Sequence, residues 1–267
     1  MGIHFINNSD KEFLSKKPFF KILQRKRISS TIGQNPYLWL ANPSTWEDAF
    51  ERRFIDVLYK DNNGGLNKFP LKGRIFCTCF SLTRICEAQW KVYSKNPNNI
   101  CIKVNRVALL DELTKYLQAN PNDEIYIGRV EYQETKIITG SISKNPIFAN
   151  IGFSFNDQTS LVKLLTLKRN AFLYEDELRI FLIKPQNSNT NHLKGIEFHY
   201  QCKPTNLVES IMLNPSFKDK GLEQRLAENT ANGGYGFTPF INSKGKMQRR
   251  VCKTHLYNYK QPSFIKL

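Results

Sequence analysis

Acidic residues are scarce in this chain. Its 23 aspartates and glutamates stand against 39 lysines and arginines, giving a formal net charge of +16. No acid follows Glu228, whereas Lys244, Lys246, Arg249, Arg250, Lys253, Lys260 and Lys266 do. Such an imbalance favours a polyanionic partner, nucleic acid or a nucleotide. Long apolar runs are also missing: no stretch of eighteen apolar residues exists, which excludes a membrane-spanning helix of ordinary length. The six cysteines include no CxxC pair. Cys77-Thr78-Cys79 would set two thiols on one strand face, but no second cysteine or histidine pair follows at zinc-site spacing. The first eight residues lack the charged-then-apolar layout of a secretory signal. Together these absences predict reduced thiols, a cytoplasmic location and no membrane partner. They leave the oligomeric state open.

What the chain does contain centres on Leu173–Ile183. Read as a strand, this stretch sets Glu175, Glu177 and Arg179 on one face. Leu178, Ile180 and Leu182 join Tyr174 and Asp176 on the other. The two carboxylates then lie roughly 7 Å apart. Like charges that close are expected where a ligand, a proton or a cation sits between them. Neutralising either one would on this view relieve repulsion and cost little stability. Two simpler readings compete: a solvated strand edge neutralised by Arg179, and a helix in which Glu175 and Arg179 form an i,i+4 pair.

Along the chain, strands are expected at Ile3–Ile6, Tyr37–Ala41, Arg74–Ser81, Ile100–Val104, Glu124–Glu134, Ile196–Tyr200 and Leu207–Leu213. Helices are expected from Ser9 or Asp10 with a stripe reaching Phe19–Leu23, where Pro18 breaks the helix or starts a new one, through Phe50 and Phe54 to Leu58, and at Ile85–Tyr93 and Val107–Leu117. Two more are expected from Leu161 to near Arg169 and at Leu222–Asn229. The pattern predicts an α+β single domain with a mixed, mostly antiparallel sheet over 1–243 and a basic tail over 244–267. Lys244, Lys246, Arg249, Arg250 and Lys253, interleaved with Tyr257, Tyr259 and Phe264, suit single-stranded nucleic acid. A solubilising cationic tail explains them equally.

Five segments occur in a telling order: Ile3–Asn7, Leu38–Glu51, Cys79–Ser81, Trp90–Tyr93 and Tyr174–Arg179. The set resembles a bacterial domain-of-unknown-function family, number two-nine-seven-one, over the chain up to about Leu213. Glu47-Asp48-Ala49 departs from the Asn-Asp-Pro usual there, and Asn96–Asn99 replaces a glycine. The motif order also resembles the ADP-ribosyltransferase superfamily, in which a histidine or arginine, a serine strand and a late glutamate assemble on NAD. That resemblance implies a cofactor-binding set of His4, Ser81, Tyr93 and Trp90, and a catalytic set of Glu177, Glu175 and Arg179. Glu177 would stabilise positive charge developing on the ribose. His4 would hold ribose or phosphates, and Glu175 would serve as base toward the acceptor. A toxin or phage-defence effector acting on nucleic acid would fit. Two rival classes stand beside it: a nuclease holding a divalent metal on Asp48, Glu175 and Glu177, and a non-enzymatic nucleic-acid-binding module. For Trp90 and His4, core packing and an ordinary strand histidine are the simpler readings.

Overall fold

Seven consecutive buried residues, Glu177–Ile183, run through the middle of a ten-stranded sheet. The computed structural model describes residues 2–14, 18–33, 35–56, 58–60, 65–136, 157–222, 224 and 226, with short pieces at 240–241, 247–248 and 251–253. In chain order these form β1 (Ile3–Ile6), α1 (Ser9–Leu14), β2 (Phe19–Leu23), α2 (Ile28–Ile32), β3 (Tyr37–Ala41) and α3 (Ala49–Asp56). The short β4 (Tyr59–Lys60) and β5 (Leu66–Asn67) pair with each other and precede β6 (Ile75–Ser81). Next come α4 (Glu87–Tyr93), β7 (Ile100–Val104), α5 (Arg106–Ala119), β8 (Glu124–Arg129) and β9 (Glu131–Gln133). After α6 (Gln158–Leu164) follow β10 (Leu167–Arg169), β11 (Glu177–Ile183), β12 (Gly195–His199), α7 (Pro204–Leu207) and β13 (Val208–Leu213). The last pieces are β14 (Phe240–Ile241), β15 (Met247–Gln248) and β16 (Val251–Lys253).

The main sheet runs β1-β8-β11-β6-β2-β7-β13-β16, with β3 branching from β6 and carrying β12. Among the described residues only β1–β8 and β13–β16 pair in parallel within it. The α+β expectation with a mostly antiparallel sheet therefore holds. Strand β11 pairs along its length with β6 on one side, Glu177 opposite Ser81 and Arg179 opposite Cys79. On the other side β8 sets Gly128 opposite Arg179.

The far edge of β6 is shared. β3 meets it at Cys77 and β2 meets it at Ser81, so the two strands diverge from one edge and the sheet forks. Unpaired backbone groups within a sheet are costly unless something satisfies them. Here Lys21, on β2, reaches into the fork, and its ammonium donates to the Cys79 carbonyl at 3.1 Å and to Thr78 Oγ1 at 2.8 Å.

Both faces of the sheet are covered. Phe76, Phe80, Leu178, Ile180 and Leu182 pack with Leu109 and Leu113 of α5, with α2, and with β3 and β12. On the opposite face Ile75, Cys77, Phe181 and Ile183 pack against Phe54 and Ile55 of α3 and Leu161, Val162 and Leu164 of α6. Alternation puts Glu177 and Arg179 on this second face, at the start of β11.

Several segments differ from their sequence expectation. Phe19–Leu23 is a strand and not part of a helical stripe: Pro18 breaks the helix as expected, but no new helix follows, because two phenylalanines with Ile22 suit a pleated surface. The helix expected to reach Arg169 stops at Leu164, and Leu167–Arg169 pairs in parallel with β9. Val251–Lys253, expected within a separate tail, adds an edge strand beside β13. Lys244, Lys246, Arg249 and Arg250 lie outside the described residues.

Gly128 makes the close packing around β11 possible. A Cβ there would meet Thr166 Cγ2 at 2.7 Å and the Ile6 side chain at 2.9 Å. Gly128→Ala should therefore destabilise the protein by about 1–3 kcal/mol through overpacking, read as a lowered denaturant midpoint at unchanged m-value.

Candidate functional site

A tight reversal brings the two glutamates together. Asn170–Glu175 forms a 3-10 turn, and Asp176 follows in the left-handed region at φ 41°. Aspartate tolerates this conformation better than most residues. Asp176 is held there by Arg129, 2.9 Å from its carboxylate, and its carbonyl accepts from the Leu82 amide at 2.7 Å. Glu175 thus precedes the strand, contrary to the expectation that it shares one with Glu177. The two carboxylates still converge, because both bond the same cation.

That cation is Lys168 of β10. Its ammonium lies 2.6 Å from Glu175 Oε2, 2.9 Å from Glu177 Oε2 and 3.4 Å from Glu51 Oε1 on α3. Arg179 donates through Nε to Glu177 Oε1 at 3.0 Å, through its terminal nitrogens to Glu51 and the Leu165 carbonyl, and stacks on Trp46 with its guanidinium 4.5 Å from the ring centre. All five charged side chains are buried, Arg179 to 1% exposure. Three carboxylates face two cations, which leaves one negative charge in excess when all are ionised.

The surroundings drive the two glutamates apart. Burial alone would raise the Glu177 carboxyl, but the Arg179 guanidinium and the Lys168 ammonium outweigh it and hold it well below the usual range. At Glu175 burial prevails, reinforced by the Glu177 charge, and the carboxyl is pushed up despite Lys168 and the Tyr93 hydroxyl. Lys168 is held above the ordinary lysine value: burial opposes its charge, and Glu177 with Glu51 overcomes burial. Neutralising Glu177 would consequently strip Lys168 and Arg179 of a shared partner. The expectation that it relieves repulsion is overturned.

Helix α4 supplies the next layer. Gln89 accepts from the Cys86 amide at 2.8 Å, closing the helix start, and its Nε2 donates to Ser81 Oγ at 3.2 Å. Ser81 in turn donates to the Glu175 carbonyl at 2.7 Å. One turn after Gln89, on the same helix face, Tyr93 donates its hydroxyl to Glu175 Oε1 at 2.6 Å. The Tyr132 hydroxyl accepts the Glu177 amide at 3.0 Å.

Apart from Tyr132, the side chains of this cluster line a cavity of about 1030 Å3. Its wall carries Lys21, Arg25, Lys26 and Lys95 together with the aromatic rings of Phe20, Trp46, Phe50 and Phe172. Ser81, Tyr93, Glu175, Glu177 and Arg179, all singled out from sequence, line it together. Trp90 and His4 do not. Trp90 is buried among Phe20, Ile85, Cys101 and Met212. His4 lies half-exposed on the edge strand β1, stacked on Tyr126 at 4.5 Å and 3.8 Å from Glu124. Asp48 borders the cavity, and its carboxylate pairs with Arg169 at 2.9 Å. Among the described residues no group of three or more His, Cys, Asp or Glu side chains is arranged to hold a metal ion.

Sequence reasoning missed Lys168, Glu51 and Lys21. Lys168 was obscured by reading Leu161–Arg169 as one helix. The need for a cation between Glu175 and Glu177 was the available signal.

Residues 89–180, about a third of the chain, match a family described as Protein of unknown function (DUF2971). The match is narrower than the resemblance expected to about Leu213. It includes Tyr93, Lys168, Glu175, Glu177 and Arg179 and leaves out His4, Glu51 and Ser81. No curated protein and no solved structure matches the chain.

Removing the shared cation tests the cluster directly. Lys168→Met should cost about 3–5 kcal/mol by leaving buried carboxylates uncompensated. In the wild type the depressed Glu177 contributes stability above its unfolded-state pKa, lost as pH falls through the folded one. Without Lys168 both carboxyls rise, and the folded variant takes up protons more readily than its unfolded chain. Denaturant titrations from pH 7 toward 4.5 should show the deficit against wild type shrinking. A pH-independent deficit would remove Lys168 from the cluster's electrostatics.

Proposed function

We propose that the cavity binds NAD and that the chain is an ADP-ribosyltransferase-type enzyme whose acceptor is a nucleic acid. One observation carries this reading: two carboxylates on one cavity floor are driven in opposite directions. Such a division assigns one group to a standing charge and the other to proton transfer. Glu177, kept ionised by Arg179 and Lys168, stabilises the positive charge that grows on the ribose as the glycosidic bond to nicotinamide breaks. Nicotinamide leaves with the bonding electron pair. The acceptor's nucleophilic atom forms the new bond to that ribose carbon, and its proton passes to Glu175. The raised carboxyl of Glu175 lies nearer neutrality than an ordinary glutamate and is the better base for it. Tyr93 positions Glu175 through its short hydrogen bond.

The cavity's size suits the ligand, since pockets of roughly 300–1,000 Å3 hold drug-sized molecules and a dinucleotide fills the upper end. The net charge of +16 favours a polyanionic acceptor. A metal-dependent nuclease fits less well, because Lys168 and Arg169 already occupy the carboxylates it would use.

Nicotinamide release from NAD, measured with and without single-stranded RNA and DNA, tests the reading. Glu177→Gln should lower release about a hundredfold, on the order of 3 kcal/mol in barrier. Glu175→Gln should depress transfer to the acceptor more than release. In the wild type, transfer should fall as pH drops through the Glu175 pKa, with the acid limb above 4.5 and absent from Glu175→Gln. No release by wild type under any of these conditions would end the assignment.

A further inference from the structure

We propose that Lys21, with Lys26 at the rim, forms the phosphate-binding side of the cavity, so that a dinucleotide's diphosphate lies against β2 while its glycosidic bond faces Glu177. The inference rests on the nucleotide reading above and supplies the anion contact that His4, out on the edge strand β1, does not make.

Lys21 is a half-buried lysine on the cavity wall; among the described residues its ammonium bonds only uncharged oxygens, those of Thr78 and the Cys79 carbonyl, and lies 5.3 Å from the centre of the Phe80 ring. Three other cations on the cavity wall have a carboxylate partner. Arg25 reaches Asp219 at 3.3 Å, Lys95 reaches Glu47 at 3.5 Å, and Arg169 reaches Asp48 at 2.9 Å. A desolvated ammonium without a carboxylate gains more from an incoming anion than a paired one does. Burial pushes the Lys21 pKa down. The Cys79 and Cys77 thiols and the Glu177 carboxylate oppose that shift, while Arg27 reinforces it. Ser81 faces Glu177 on one side and Phe20, the neighbour of Lys21, on the other, and both charged residues line the one cavity, so the anion-seeking wall adjoins the anionic floor. In NAD the reacting ribose carbon and the diphosphate are likewise separated by a single sugar. The ordering of charges in the cavity matches the ordering of groups in the ligand.

Inorganic pyrophosphate is the probe. It should bind the wild type, compete with NAD, and lose at least tenfold in affinity in Lys21→Met, while Lys21→Arg retains most of it. Lys26→Gln should lose less. Because an anion restores the charge that burial disfavours, binding at alkaline pH should take up protons, seen as a dependence of the calorimetric heat on buffer. Wild-type pyrophosphate binding that Lys21→Met leaves unchanged at an unaltered thermal midpoint would overturn the proposal. Should Lys21→Met not fold, the wild type decides: binding without proton uptake up to pH 10 would overturn it. A short single-stranded oligonucleotide that depends on Lys21 where pyrophosphate does not would assign the site to a nucleic-acid backbone and overturn it equally. The two readings separate cleanly. Lys21-dependent pyrophosphate binding without nicotinamide release keeps the phosphate site and removes the transferase. Release that pyrophosphate fails to inhibit does the reverse.

Discussion

Three glutamates share the ammonium of Lys168, and the candidate site depends on that arrangement. Glu51 arrives from α3, Glu175 from the turn before β11 and Glu177 from its first residue, so one lysine ties a covering helix to the central strand. Buried charge of this kind is a poor source of net stability, since desolvating the ions offsets most of their attraction. An apolar cluster of equal volume would hold α3 against the sheet at least as well, as Phe54 and Ile55 already do a turn away. What the ionic version supplies is a surplus negative charge and two carboxylates of unequal acidity, facing a cavity. Packing alone requires neither, and the proposed chemistry uses both.

The fork in the sheet explains why the cavity is where it is. Strand β6 is fully paired with β11 on one edge, but β2 and β3 part company on the other. Lys21 satisfies the backbone oxygen that the parting exposes, and in doing so is carried to the cavity wall. The acidic floor and the basic wall are thus consequences of one backbone feature: β6 contributes Ser81 and Cys79 to the floor while its far edge recruits the lysine. Helix α4, docked through Gln89 and Tyr93, closes the same end of the strands.

How much of this could be read from the chain varies by element. The strands at Ile75–Ser81 and Ile100–Val104 are apolar runs bounded by polar turns, and their extent was legible; Glu177–Ile183 was legible as a strand but not in where it begins. Strand β2 was not, because its apolar residues abut those of α1 and helical spacing can thread both. Glu175 and Glu177 were recognised as a pair through strand alternation. The structure pairs them for a different reason, a left-handed Asp176 and a common cation, neither of which alternation reveals. Lys168 belongs to a stretch, Leu161–Arg169, whose apolar residues satisfy a helix as readily as a helix followed by a short strand. Glu51 joins the site across more than a hundred residues of sequence, and no local pattern reports such a contact. His4 and Trp90 show the limit of motif order: the residues are in sequence but not in the same place.

The account turns on Glu175 and Glu177 having opposite acidities in one site, and carbon-13 NMR titration of the glutamate carboxyls measures this most directly. Because the pair is coupled, two macroscopic steps are expected rather than two independent ones. The account predicts one step above the ordinary glutamate value, moved by Tyr93→Phe, and one carboxyl that remains ionised to the acid limit of folding. Two glutamates titrating together near 4.5, indifferent to Tyr93, would contradict it.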